Sequence, residues 1–123
     1  MNNYYNVSKK QQVGNHIYDS KFEAAYAQEL ELRVKAKDIK SFDTQVNLDL
    51  NVNGCRVCQY RIDFVVHHND GTTEYVECKG FPTDVWKLKW KLFEALYHDK
   101  PKTKLTIVYQ SNRYKAPKLR KIK

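Results

Sequence analysis

Apolar and polar positions along this chain follow two periods, and the change between them marks out the elements. From Gln45 to Val52 they alternate, with Val46, Leu48, Leu50 and Val52 on one side, which predicts a half-buried strand. Asn53 and Gly54 supply the left-handed residues of a type I′ turn, leading into a second strand from Arg56 to His68. A third β-rich run follows Asn69-Asp70-Gly71, and Tyr60 to Gly80 therefore reads as a hairpin. A loop of Asn69 to Gly71 sets His68 opposite Thr72. Val65 then faces Tyr75, Asp63 faces Glu77, and Arg61 faces Lys79. Two other segments keep helical spacing. Ser20-x-x-Glu23 matches a capping box and opens a helix to about Ala36 or Lys37. Phe22, Ala25, Tyr26, Leu30, Leu32, Val34 and Ala36 form its broad apolar face, and Gln28, Glu31 and Lys35 its polar one. Thr83 or Asp84 caps a second helix that ends near His98. Val85, Trp86, Leu88, Trp90, Leu92, Phe93, Ala95, Leu96 and Tyr97 cover most of its circumference. Lys87, Lys91, Glu94 and His98 share its narrow polar arc, while Lys89 falls among Trp86, Phe93 and Leu96. Leu105 to Tyr109 reads as a last short strand, parallel to a central one because a helix intervenes.

The expected order is helix, three antiparallel strands, helix, strand. That is an α/β fold with a mixed sheet, in a single domain over residues 1–123. Residues 1–15 are expected to form a polar arm, with His16 to Asp19 a short extended piece, and residues from about 111 to 123 a basic tail.

The hairpin register has a chemical consequence. Side chains alternate faces along a strand, so Asp63, Glu77 and Lys79 are expected on one face. Directly opposed side chains lie about 4.5–5.5 Å apart at Cβ, and like charges there are destabilising. Two carboxylates between apolar neighbours are most simply explained by a divalent cation. Mg²⁺ takes one or two carboxylates together with water and phosphate oxygens. Glu23 projects between Leu30 and Val34 on the apolar side of the first helix. It is either the capping-box acid only or a third acid delivered to the hairpin site. Lys89 either snorkels to water from its apolar surroundings or reaches the same site.

Asp63 followed by Glu77-x-Lys79 is the motif of the PD-(D/E)XK nuclease superfamily, which this sequence resembles. The run Tyr18-Asp19-Ser20-Lys21-Phe22-Glu23, with Leu30, Arg33, Ile39 and Gln45 after it, is similar to a phage-encoded branch of that superfamily. The resemblance covers roughly residues 14 to 96. Ile62 stands where the superfamily's name places a proline, and Cys78 occupies the usually hydrophobic position between Glu77 and Lys79. The resemblance implies an αβββαβ core and a metal-dependent endonuclease. Asp63 and Glu77 would bind Mg²⁺, with Mn²⁺ able to substitute, and Glu23 would be an additional or water-mediated ligand. Lys79 would act on the attacking water, with Lys89 as a further basic residue of the site. Gln45 matches the glutamine of that branch; read as an ordinary residue, it is a polar strand start. Among small relatives are Holliday-junction resolvases, so branched DNA cut by a homodimer is the first specific substrate expectation. Nonspecific, nicking or repair-type cleavage, and a noncatalytic DNA-binding module on the same fold, are the alternatives.

Charge supports a polyanionic partner. The 22 basic and 14 acidic residues give a formal net charge of +8, the electrostatic footprint expected of a nucleic-acid binder. Six basic residues and no acids lie from Arg113 to Lys123. Lys115, Lys118, Arg120 and Lys121 are accordingly expected to touch DNA phosphates. Three cysteines without a secretion signal argue for free thiols. Cys55-x-x-Cys58 lacks a second pair to complete a zinc site. Cys58 and Cys78 are expected on the hairpin face opposite Asp63 and Glu77. No apolar run approaches the roughly 20 residues of a membrane span, and the expected compartment is the cytoplasm.

Overall fold

A computed structural model describes residues 11–13, 16–18 and 20–110. Within them a short two-stranded antiparallel sheet, β1 (Gln11–Val13) and β2 (His16–Tyr18), leads into α1 (Lys21–Lys35). Then come β3 (Ser41–Val52), β4 (Cys55–His67), β5 (Thr73–Lys79), α2 (Asp84–Tyr97) and β6 (Thr103–Tyr109). The main sheet has the order β3-β4-β5-β6. Its first three strands are antiparallel neighbours, and β6 runs parallel to β5. The expected mixed sheet and element order are present. No helix among the described residues is long and apolar enough to cross a membrane.

Local chemistry sets the ends of these elements. The Ser20 hydroxyl accepts the Glu23 amide at 3.1 Å, and the Thr83 hydroxyl accepts the Trp86 amide at 3.1 Å. Each satisfies a donor that the first helical turn leaves over. Asn53 and Gly54 both have positive φ, 54° and 78°, as a type I′ turn demands. In the β4–β5 loop, Gly71 takes φ 90° and the His68 amide donates to the Thr72 carbonyl at 2.9 Å, the register expected from the sequence.

Each helix covers one face of the sheet. Ala24, Ala27 and Leu30 of α1 pack with Phe64, Val66, Val76 and Cys78. Trp86, Trp90 and Phe93 of α2 pack with Leu50, Tyr60, Ile62 and Val65. The faces of α1 and α2 are narrower than the sequence suggests. Leu32 is 65% exposed, and Val85 and Leu88 point outward at 66% and 70%. Among the described residues each helix buries one side against a face of the main sheet, and these three side chains lie on the side turned away from it.

Alternation does not run unbroken through β3 and β4. Phe42 and Phe64 pack on the α1 side, whereas Val46, Leu48, Tyr60 and Ile62 pack on the α2 side. The change of phase falls at Gln45 and Asp63. The ladder pairs Thr44 with Phe64 and Val46 with Ile62, and is interrupted between them. Gln45 has φ 51° there, a left-handed conformation rare for a residue with a side chain. Beyond this kink the two strands continue as a long ribbon to the Asn53-Gly54 turn.

Candidate functional site

The kink creates a fork. β4 and β5 pair from His67–Thr73 to Phe64–Val76 and then separate, and among the described residues the end of β5 pairs with β6 alone. At Asp63 the ladder is replaced by a side chain, whose Oδ2 accepts the Cys78 amide at 2.8 Å. Asp63 thus plugs the opening between two diverging strands. The predicted backbone pairing of Asp63 with Glu77 and of Arg61 with Lys79 ends at this fork. Arg61 instead turns to the other neighbouring strand, where it donates to Gln45 Oε1. Cys58 and Cys78 consequently do not share a face as expected. Cys58 packs on the α2 side and Cys78 on the α1 side, because the phase shift lies between Cys58 and the hairpin loop. Cys55, Cys58 and Cys78 are free thiols.

Glu77 and Lys79 point to the α2 side of β5. Glu77 is buried, at 5% exposure, and its Oε1 accepts the Tyr60 hydroxyl at 2.9 Å. That hydroxyl in turn accepts Trp86 Nε1 at 3.1 Å. Lys79 Nζ lies 3.9 Å from Glu77 Oε2 and 4.9 Å from the centre of the Trp86 ring. Glu23, at the start of α1, approaches from the opposite side. Its carboxyl is a hydrogen-bond neighbour of Asp63, and its charge is felt at Glu77 and Cys78. Three acids therefore line the fork from the α1 face to the α2 face, with a lysine at its mouth.

Burial dominates the electrostatics. It pushes the Asp63 carboxyl up to about 7, reinforced by the charge of Glu77 and opposed by the Cys78 amide and Lys79. Glu77 is also pushed up to about 7 by burial, against the pull of Lys79 and the Tyr60 hydroxyl. Burial, then Glu77, pushes the Tyr60 phenol well above its ordinary range, so Tyr60 stays a donor. Buried carboxylates side by side, raised in this way, form a set that a cation would neutralise. The donors are oxygens only, which fits a small hard ion such as Mg²⁺. Among the described residues no three His, Cys, Asp or Glu side chains are gathered closely enough to hold a metal on protein donors alone. Water and phosphate oxygens would have to complete its shell.

Lys89 is not part of this cluster; its Nζ donates to the Gln59 carbonyl at 3.1 Å. That carbonyl precedes Tyr60, so Lys89 buttresses the strand that carries the Glu77 donor. His67 and His68 are half-buried and bonded to Asp43 and Glu74, at 2.8 and 2.7 Å, at the far end of the sheet. Lys115, Lys118, Arg120 and Lys121 lie outside the described residues. Tyr60 and Trp86 were not among the sequence candidates. Tyr60 reads as a strand residue and Trp86 as core, and the break in alternation that brings Tyr60 to Glu77 leaves no mark in composition or spacing.

The family model described as Protein of unknown function (DUF1064) matches residues 2–116, and the chain belongs to that family. No curated protein and no solved structure matches the chain.

Proposed function

We propose that this member of the DUF1064 family is a metal-dependent endonuclease that hydrolyses phosphodiester bonds in DNA. The observation that carries the reading is the fork itself, where Asp63, Glu77 and Glu23 converge with Lys79 at the end of β5. A fold has little reason to bury adjacent carboxylates with one lysine unless their charge is used. Asp63 and Glu77 would hold Mg²⁺ or Mn²⁺, with Glu23 behind Asp63. Such an ion lowers the pKa of water and offsets charge at the phosphate. Tyr60 holds Glu77 in place through its hydroxyl, fixed in turn by the Trp86 indole. Asp63 is held by the Cys78 amide, so neither acid has to reorganise to receive a ligand. Lys79 orients the attacking water and stabilises the phosphate oxygens, held over Trp86 beside Glu77. In the hydrolysis one bond forms from the water oxygen to phosphorus and one phosphorus–oxygen ester bond breaks. The departing oxygen takes up a proton.

The net charge of +8 suits a nucleic-acid substrate. Branched DNA, such as a four-way junction cut by a homodimer, is the proposed preference. The test is incubation of the purified chain with linear, flapped and four-way DNA in Mg²⁺. Cleavage of at least one form, stopped by chelator and by Asp63→Ala or Glu77→Ala in folded protein, is the expected result. Binding without cleavage on every form, in Mg²⁺ and in Mn²⁺, would favour the noncatalytic DNA-binding alternative.

A further inference from the structure

We propose that the outer face of the β3–β4 ribbon enters the major groove of duplex DNA and reads base edges beside the site; this rests on the endonuclease reading. Past the fork, β3 and β4 pair only with each other among the described residues, from Val46–Ile62 to Val52–Cys55. One face of this ribbon is covered by α2 through Leu50, Tyr60 and Ile62. The opposite face is solvent-exposed and is built from three cross-strand pairs, Asn47 with Arg61, Asp49 with Gln59 and, past a shift of register after Leu50, Asn51 with Arg56.

An ordinary antiparallel sheet also turns a polar face to water. Three features separate this face from that default. First, Asn47, Asp49 and Asn51 occupy alternate positions of one strand, although Asn and Asp are depleted in strands. Local preference is given up there, as is usual where function selects the residue. Second, the side chains are held in place. Arg61 donates to Gln45, Gln59 Nε2 donates to Asp49 Oδ1 at 3.4 Å, and Arg56 lies 3.6 Å from the same oxygen. The bond to Gln45 engages only part of the five-donor Arg61 guanidinium. Third, the face begins at the kink, so Arg61 is two residues from Asp63.

The chemistry matches one occupant. Arginine pairs with the guanine edge, Asn and Gln with adenine, and a carboxylate accepts from cytosine. The two arginines outweigh the single Asp49, in a chain whose net charge is +8, which suits a polyanion. Two strands about 4.8 Å apart also fit a major groove about 12 Å wide.

The experiment uses the full chain in chelator, so that binding is read without cleavage, on a pool of labelled duplexes with a randomised central segment. Wild type is expected to enrich a short base preference. Arg61→Ala should weaken binding to the enriched duplex about ten-fold or more and relax the preference at one base pair. Asn47→Ala should relax a neighbouring position, and Lys40→Ala, an exposed lysine outside the ribbon, should change neither. All three variants should melt as wild type does. Arg61→Ala and Asn47→Ala proteins that keep wild-type affinity and preference would overturn the ribbon while leaving any Mg²⁺-dependent cleavage standing. So would equal losses for Lys40→Ala and Arg61→Ala, which would reduce the effect to general charge. The expected losses in a protein that cuts no DNA in Mg²⁺ would uphold the ribbon and sink the endonuclease. A wild type that binds no duplex overturns this inference outright, and cleavage of branched DNA by that protein would still uphold the nuclease.

Discussion

At the scale of single residues, the fork holds buried carboxyls whose charged forms are unfavourable. Asp63 and Glu77 keep their protons up to about 7 in the folded chain, while unfolded carboxyls give theirs up near 4. Between these values the folded state binds more protons, so stability falls as pH rises and levels off above about 7. Melting in chelator from pH 5 to pH 8 should show that decline, and Asp63→Asn should flatten it. Mg²⁺ should raise the melting temperature more at pH 8 than at pH 5, because a carboxylate must lose its proton to bind a cation. An ion-independent, pH-independent melting curve would mean that the acids are not paired as described. Tyr60 offers a second measurement. Tyr60→Phe removes the donor to buried Glu77 and the acceptor of Trp86 Nε1 together. Leaving buried polar groups unmatched costs about 1–3 kcal/mol, so chemical denaturation should show a loss of that order. Cleavage should then require more Mg²⁺, since Glu77 is no longer held. A Tyr60→Phe protein with wild-type stability and Mg²⁺ requirement would detach this residue from the site.

At the scale of elements, the first turn of α1 carries two functions that can be separated. Ser20→Ala removes the hydroxyl that accepts the Glu23 amide and should cost about 0.5–2 kcal/mol. Glu23→Gln leaves that bond in place but removes a charge beside Asp63. It should melt almost as wild type does, and cleave more slowly at limiting Mg²⁺. A Glu23→Gln protein that melts and cleaves like wild type at limiting Mg²⁺ would return Glu23 to a purely capping role, since glutamine can make the same capping bond. The elements themselves were legible because their signals are local: Ser20 and Thr83 at the caps, Asn53-Gly54 and Asn69-Asp70-Gly71 at the turns, and alternation in between. The hairpin register was also right as far as Phe64–Val76. Past that pair the backbone pairing ends, and Cys58 and Cys78 fall on opposite sides of the sheet. The break falls at Gln45, whose φ is 51°, and at Asp63, and on each strand the alternation changes phase there. Glutamine has no special preference for that conformation, so the sequence carries no local signal for it. The same kink brings Tyr60 to Glu77 and exposes Arg61. The exposed Val85 and Leu88 were misjudged for a different reason: periodicity reports apolar residues on a helix, not whether a neighbour covers them.

At the scale of the whole molecule, the distribution of charge makes a quantitative demand on DNA binding. The formal net charge is +8, and the six basic, acid-free positions from Arg113 to Lys123 account for most of it. The remainder of the chain is therefore close to balanced, and at the fork it carries an acidic cluster that repels phosphate unless a cation is bound. Affinity for any DNA in chelator should thus come largely from residues 113–123, through release of counterions from the duplex. That contribution makes log affinity fall linearly with log salt, by about 0.9 per phosphate neutralised. Deleting residues 113–123 should weaken binding at low salt and flatten this slope. It should leave the Mg²⁺ requirement and the rate on saturating DNA unchanged, because Asp63, Glu77 and Lys79 are held by β4, β5 and α2. Base preference, if it resides in the ribbon, should also survive the deletion, since hydrogen bonds to base edges release few ions. The measurement is a salt titration of duplex binding by the full and shortened chains, with cleavage followed in parallel. A slope unchanged by the deletion would assign phosphate contact to the rest of the chain, and the near-balance of charge there would then have to conceal a basic path toward the fork.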